Sequence, residues 1–180
     1  GHIEINGEKI IDSSVNLMRN LFGRVVISTN TPELYFYCGV PMIGDIINQR
    51  GPLTGIFSVL SNIKDDAIFV VACDMPFLNG QLMRYMVDKY NNFNSGTNKW
   101  DAVIPVFEGK PQPLFGIYSK NILGIIEERL NKGLKRLKDL LTEINVLYIK
   151  EEEVRQIDPE GRSFLNINTM EDYKKIVNSE

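Results

Sequence analysis

The chain has 180 residues, 43% of them hydrophobic and 24% charged, the composition of one ordinary globular domain and not of a fibrous or disordered chain. Twenty Lys and Arg against 23 Asp and Glu leave a formal charge of −3, which excludes a broad basic footprint for nucleic acid or an anionic membrane. His2 is the one histidine and stands at the start, so a histidine triad, zinc site or general base inside the domain is excluded too. In chain order, Ile3–Asn6 reads as a brief strand turned at Asn6-Gly7, and Ile11 to Leu21 as an amphipathic helix opened by Asp12-Ser13-Ser14. Val25–Ser28 is a short apolar strand of the doubly buried kind, and Val40–Ile43 is a second short strand. Gly51-Pro52 opens a helix through about Asn62, because proline suits the first helical position. Ala67–Cys73 is the strongest strand, and a helix runs from Asn79 to about Tyr90 before a polar loop, Asn91–Lys99. Ala102–Val106, Leu114–Tyr118 and Val146–Ile149 read as strands, whereas Ile122–Asn131, Leu134–Leu141 and Thr169–Val177 read as helices.

Strands alternating with helices predict βαβ units and a mostly parallel sheet covered by helices. Cys38 and Cys73 lie among apolar residues at no metal-ligand spacing and are expected to be inert core thiols. No run approaches the roughly 20 apolar residues of a membrane helix, and no signal peptide opens the chain, so a cytoplasmic protein is expected.

In an open parallel sheet, ligands bind beyond the carboxyl ends of the strands. The sharpest such position is Asp74, where seven apolar or small residues run into a carboxylate and Pro76 forces the chain out of the strand. That carboxylate suits a magnesium ion, which takes one or two carboxylates plus substrate oxygens. It also suits a cap on the helix that follows, or a plain turn. Asp45 repeats the arrangement after Met42-Ile43-Gly44. An ionised carboxylate only accepts hydrogen bonds, so it matches a base offering paired N–H donors, such as guanine, or else it is a surface turn residue. Gly51 and Gly55 flank a helix start whose free N–H groups attract anions or carbonyl oxygens; a routine helix start reads the same way. Asn166 and Asn168 alternate around Ile167, so an extended backbone would aim both amides one way; alternatively Asn168 or Thr169 caps the last helix. Arg129, Lys132, Lys135, Arg136 and Lys138 form a basic run that could meet an acidic substrate, though such a run is commonly a solvated helix face.

The segments Gly51-Pro52-Leu53-Thr54-Gly55, Val71–Leu78, Gln112–Tyr118 and Phe164–Thr169 with Glu171-Asp172, in that order, resemble the molybdenum cofactor guanylyltransferases, MobA-type bacterial enzymes of the nucleotidyltransferase superfamily. The resemblance implies a doubly wound α/β domain over residues 1–180 with helices on both faces. It implies transfer of GMP from GTP to molybdopterin-bound molybdenum, with release of pyrophosphate. By the same resemblance Asp74 is the Mg²⁺ ligand, Asp45 reads guanine, and Asn30, Gly51 and Gly55 contact the nucleotide. Asn166 and Asn168 fall at the paired-asparagine motif near the reaction centre, and Gln112 on the pterin side. GTP and the molybdenum cofactor are then the substrates, with transient contacts to cofactor-biosynthesis or acceptor proteins. The family begins with a strand and a glycine-rich loop, whereas this chain starts at Gly1-His2-Ile3, after that loop; these residues alone are expected to bind GTP poorly. Met170 stands where the family usually has proline. Another nucleotidyltransferase, using CTP or a sugar phosphate, and a non-catalytic nucleotide-binding module are the competing readings.

Overall fold

Most strands and helices follow one another along the chain in the order that the apolar pattern predicts, within the residues the computed structural model describes: 4–5, 8–94, 99–167 and 169–177. β1 (Glu4–Ile5) and β2 (Glu8–Lys9) pair antiparallel. Asn6-Gly7, the expected turn, lies outside the described residues. α1 (Ile10–Leu21) begins ahead of the expected Asp12-Ser13-Ser14 opener. Ile10 and Ile11 are both buried, and Ser14 Oγ donates back to the Ile10 carbonyl at 2.9 Å, so apolar burial rather than a side-chain cap sets the helix start. β3 (Ile27–Ser28) pairs in parallel with β4 (Met42–Ile43). α2 (Pro52–Asn62) follows Gly51, whose φ of 142° is one that side-chain-bearing residues rarely adopt. Its residues Leu53, Ile56, Phe57 and Leu60 form a buried stripe at helical spacing, each contributing roughly 1.5–3 kcal/mol of apolar burial.

Next come β5 (Ala67–Val71), α3 (Gly80–Asn94), β6 (Ala102–Phe107), β7 (Lys110–Pro111) and β8 (Phe115–Ser119). The chain closes with α4 (Leu123–Asn131), α5 (Leu137–Leu140), β9 (Val146–Ile149), α6 (Glu151–Arg155) and α7 (Met170–Val177). The expectation of a mostly parallel sheet is corrected: the main sheet is mixed. β8 pairs antiparallel with both β5 and β6, β7 antiparallel with the end of β6, and β9 parallel with β6. The stretch between Phe107 and Phe115 is shorter than the roughly dozen residues a parallel crossover needs. Glu108 and Gly109, with φ of 49° and 66°, turn it back instead as a tight hairpin.

Alternate strand residues face opposite layers, as a pleated sheet requires. Ala102, Ile104 and Tyr118 pack with Leu53 and Leu60 of α2 and Ile126 and Leu130 of α4. Val103, Phe115 and Ile117 pack on the other side with Leu82, Met83 and Met86 of α3 and Val154 of α6. Helices therefore cover both faces of the sheet. α2 also packs against β3, β4 and β5, tying the small parallel pair to the main sheet. Cys38 is buried as expected, whereas Cys73 is exposed. β5 ends at Val71, so Cys73 already belongs to the turn and its thiol leaves the core.

Candidate active site

The apolar run of β5 delivers Asp74 to the surface two residues past Ala72, whose N–H donates to the Leu114 carbonyl at 3.1 Å. Met75, 3% exposed, anchors the turn in the core while Asp74 beside it remains half-buried. The Asp74 carboxylate makes no hydrogen bond to the described residues. It does not cap α3. That role belongs to Asn79, whose Oδ1 accepts from Gln81 N at 2.9 Å and Leu82 N at 3.1 Å. The main chain of Asp74 is held from the far end of the molecule: its carbonyl accepts from Ile167 N at 2.8 Å. Ile167 is 1% exposed, and the buried side chain and this bond together set exposed Asn166 next to the Asp74 turn. Asn168 lies outside the described residues. The cap expected at Thr169 is present: Thr169 Oγ1 accepts from Asp172 N at 3.1 Å and Asp172 Oδ2 accepts from Thr169 N at 2.9 Å.

The bond from Ala72 to Leu114 also joins the chain two residues before Asp74 to the chain two residues after Gln112. Half-buried Gln112 donates its backbone N–H to the Pro105 carbonyl at 2.9 Å and its Nε2 to the Lys110 carbonyl at 3.3 Å. Its side chain is thus partly committed to its own hairpin.

A second group forms at the carboxyl ends of β3 and β4. Asn30 Nδ2 donates to Asp45 Oδ2 at 2.7 Å, and Asp45 N donates to Asn30 Oδ1 at 2.7 Å. This reciprocal pair orients the Asp45 carboxylate and leaves Oδ1 and the second lone pair of Oδ2 available to a ligand. The next residue is pinned to α2, because Ile46 N donates to the fully buried Ser58 Oγ at 3.0 Å. Sequence reasoning missed Ser58; its signal is a hydroxyl on the buried face of α2, which Thr54 shares. Gly51 precedes α2, and Gly55 one turn later lets the helix lie on β3, since a Cβ there would stand 2.9 Å from Ser28 Oγ. The structure thus docks the Asn166 segment on the Asp74 turn and joins Asn30 to Asp45, with Gly51 and Gly55 at the start of α2, which packs on β3, β4 and β5, while Gln112 is tied to its own hairpin.

Among the described residues, no three His, Cys, Asp or Glu side chains cluster as a metal cage. One uncommitted carboxylate fits a magnesium ion that arrives on phosphate oxygens, not one held by protein alone. The basic run divides. Lys132, Lys135, Arg136 and Lys138 are exposed, as a solvated face would be, but Arg129 is 4% exposed and pairs with Glu143 and, at 3.9 Å, with Asp139.

The pattern of the MobA-like NTP transferase domain matches residues 1–146. The chain belongs to this family. A "probable molybdenum cofactor guanylyltransferase" of Peptoclostridium acidaminophilum is 31% identical over 96% of the chain and 78% of that protein. A molybdenum cofactor guanylyltransferase of Syntrophotalea carbinolica is 33% identical over 86% of the chain and 71% of that protein. Among solved structures, the molybdopterin-guanine dinucleotide biosynthesis protein A of Archaeoglobus fulgidus superposes with a TM-score of 0.81 at 25% identity, covering 99% of this chain and 90% of that one. A 4-diphosphocytidyl-2C-methyl-D-erythritol synthase of Anaerococcus prevotii shares the fold alone, with a TM-score of 0.68 at 12% identity over 99% of this chain and 93% of that one.

Proposed function

We propose that this MobA-like protein is a single nucleotidyltransferase domain over residues 1–180 that transfers GMP from GTP to the molybdenum cofactor and releases pyrophosphate. The observation that carries the reading is the uncommitted Asp74 carboxylate at the end of β5, with Asn166 docked beside it and helix capping left to Asn79. The names of the relatives supply the substrates. When bound with GTP, magnesium neutralises the charge that builds on the phosphates during transfer. Asp74 would hold that ion, and Asn166 and Asn168 would offer amide donors and acceptors to the phosphate oxygens. Asp45, oriented by Asn30, accepts from the guanine ring N–H and exocyclic amine. The start of α2 beside Gly51 presents backbone N–H groups to the nucleotide, and Gly55, whose own N–H donates to the Gly51 carbonyl at 3.2 Å, contributes through its missing Cβ by letting the nucleotide approach closely. Gln112 faces the pterin side. An acceptor oxygen bonds to the α-phosphorus as the bond to the departing pyrophosphate breaks. The setting is the cytoplasm, with transient contacts to cofactor-biosynthesis or acceptor proteins; among the described residues no helix is long and apolar enough to cross a membrane.

The experiment measures pyrophosphate release with GTP, CTP and ATP, with and without Mg²⁺ and a molybdopterin acceptor. It uses these 180 residues beside a version extended at the N-terminus. Asp74→Asn lowers turnover at least ~10²-fold, like loss of a major electrostatic contact, with the circular dichroism unchanged. Turnover within a few-fold of the parent refutes the metal role. Binding without transfer in both forms would make the protein a nucleotide-binding module.

A further inference from the structure

Two loops far apart in sequence are fastened to each other at both ends. The turn that carries Asp74 is held at one end by Ile167 N on its carbonyl, at 2.8 Å. At the other end Asn79 N donates to Ser163 Oγ at 3.0 Å, and Asn79 Nδ2 donates to the Ile157 carbonyl at 3.3 Å. Ser163 is fully buried and is held in turn by Asp158, a carboxylate only 6% exposed. Asp158 Oδ2 accepts from Ser163 N at 2.9 Å and Oδ1 from Arg162 N at 3.0 Å. The Arg162 guanidinium lies 4.6 Å from the centre of the Phe77 ring, between the same two loops.

A buried carboxylate needs such N–H donors, because burial without them is costly. Nothing in the transfer reaction itself uses Asp158 or Ser163, yet their side-chain bonds among the described residues lead to Asn79, at the end of the Asp74 turn, or to the Arg162-Ser163 segment that runs on to Asn166. We propose that Asp158 and Ser163 are positioning residues that hold the Asp74 carboxylate and the Asn166 amide at the separation the magnesium-bound phosphates require. This rests on the reading of Asp74 as the metal ligand. The chain Asp158 to Ser163 to Asn79 fixes one side of the Asp74 turn, and the bond from Ile167 to Asp74 fixes the other. Neither bond reaches Asn30 or Asp45, so base recognition is independent of the latch.

Asp158→Asn is nearly isosteric but replaces one acceptor oxygen with an NH₂ group that cannot accept from a backbone N–H, and Ser163→Ala removes the acceptor of the Asn79 amide. Both variants should speed hydrogen exchange at the Ile167 amide by about tenfold or more and weaken Mn²⁺ binding in the presence of GTP, read by electron paramagnetic resonance, by a similar factor. Turnover should fall about 10- to 100-fold, as small misplacements of reacting groups do, with KM for GTP within about threefold of the parent. Should Ser163→Ala fold poorly, Asp158→Asn carries the same test. Lower thermal stability with Mn²⁺ affinity and Ile167 exchange at parent values would overturn the proposal, since that is what a purely structural role gives. Asp74→Asn is the companion control: if it leaves Mn²⁺ affinity unchanged, the metal assignment itself fails, and the positioning proposal falls with it for a different, visible reason.

Discussion

Removing the Asp45 carboxylate separates base recognition from folding, because of how the group is bound. In Asp45→Ala one side-chain hydrogen bond is lost among the described residues, the one from Asn30 Nδ2 to Asp45 Oδ2. The other half of the pair, Asp45 N to Asn30 Oδ1, is made by the backbone and survives, as does the bond from Ile46 N to Ser58. The loop therefore keeps its course. Asn30 is exposed, so water replaces the lost contact, and stability should change by less than about 0.5 kcal/mol. Binding should behave differently. The carboxylate accepts from two guanine donors, and a bidentate base contact is worth roughly 1–3 kcal/mol. GTP affinity should thus fall by about ten- to a hundredfold, with ATP affinity almost unchanged. Calorimetric titration of the form that binds GTP, together with a thermal melt, measures both quantities. Asn30→Ala should give a smaller loss, because the carboxylate remains but can rotate. Equal losses for GTP and ATP, or a parent that binds GTP, CTP and ATP alike, would refute the reasoning.

Gly161 precedes the turn that carries Ser163, with φ at 62°, and a Cβ there would overlap the Phe107 ring. Gly161→Ala should therefore destabilise the fold by about 2–4 kcal/mol, the sum of left-handed strain and overpacking, measured by urea denaturation; a change below about 1 kcal/mol would contradict the packing. Cys73 is exposed and Cys38 buried, so a thiol reagent should label one cysteine within minutes and the second only on unfolding, with Cys73→Ser abolishing the fast phase.

Local periodicity made most elements legible. Pro52 after Gly51 marks the start of α2, and Val146–Ile149 is a strand over the expected residues, because a proline's fixed φ and an apolar run are properties of a few consecutive residues. Ala67–Cys73 was equally plain as a strand, but its end was not. The run stays apolar through Cys73, and only the pairing with β8 stops the strand at Val71. α3 likewise runs on to Asn94, past the expected polar loop boundary, since polar residues on an exposed helix face carry no stop signal. α6 was not foreseen at all; five residues are too few for a periodicity to show.

That Asp74 follows an apolar strand as a carboxylate, that Asp45 does so after a shorter one, and that apolar stripes cover a sheet on two faces can all be read along the chain. These follow from chain-local chemistry. Three features emerge from packing instead: β8 returns antiparallel, Asn30 holds Asp45, and Asn79 rather than Asp74 caps α3. Packing alone joined Asn79 to Ser163, 84 positions apart. Such a bond needs one donor and one acceptor brought together by packing, and neither residue bears a local trace of its partner. Burial is written in sequence as a period. The polar contacts that order a site are made where the packed layers bring distant loops side by side.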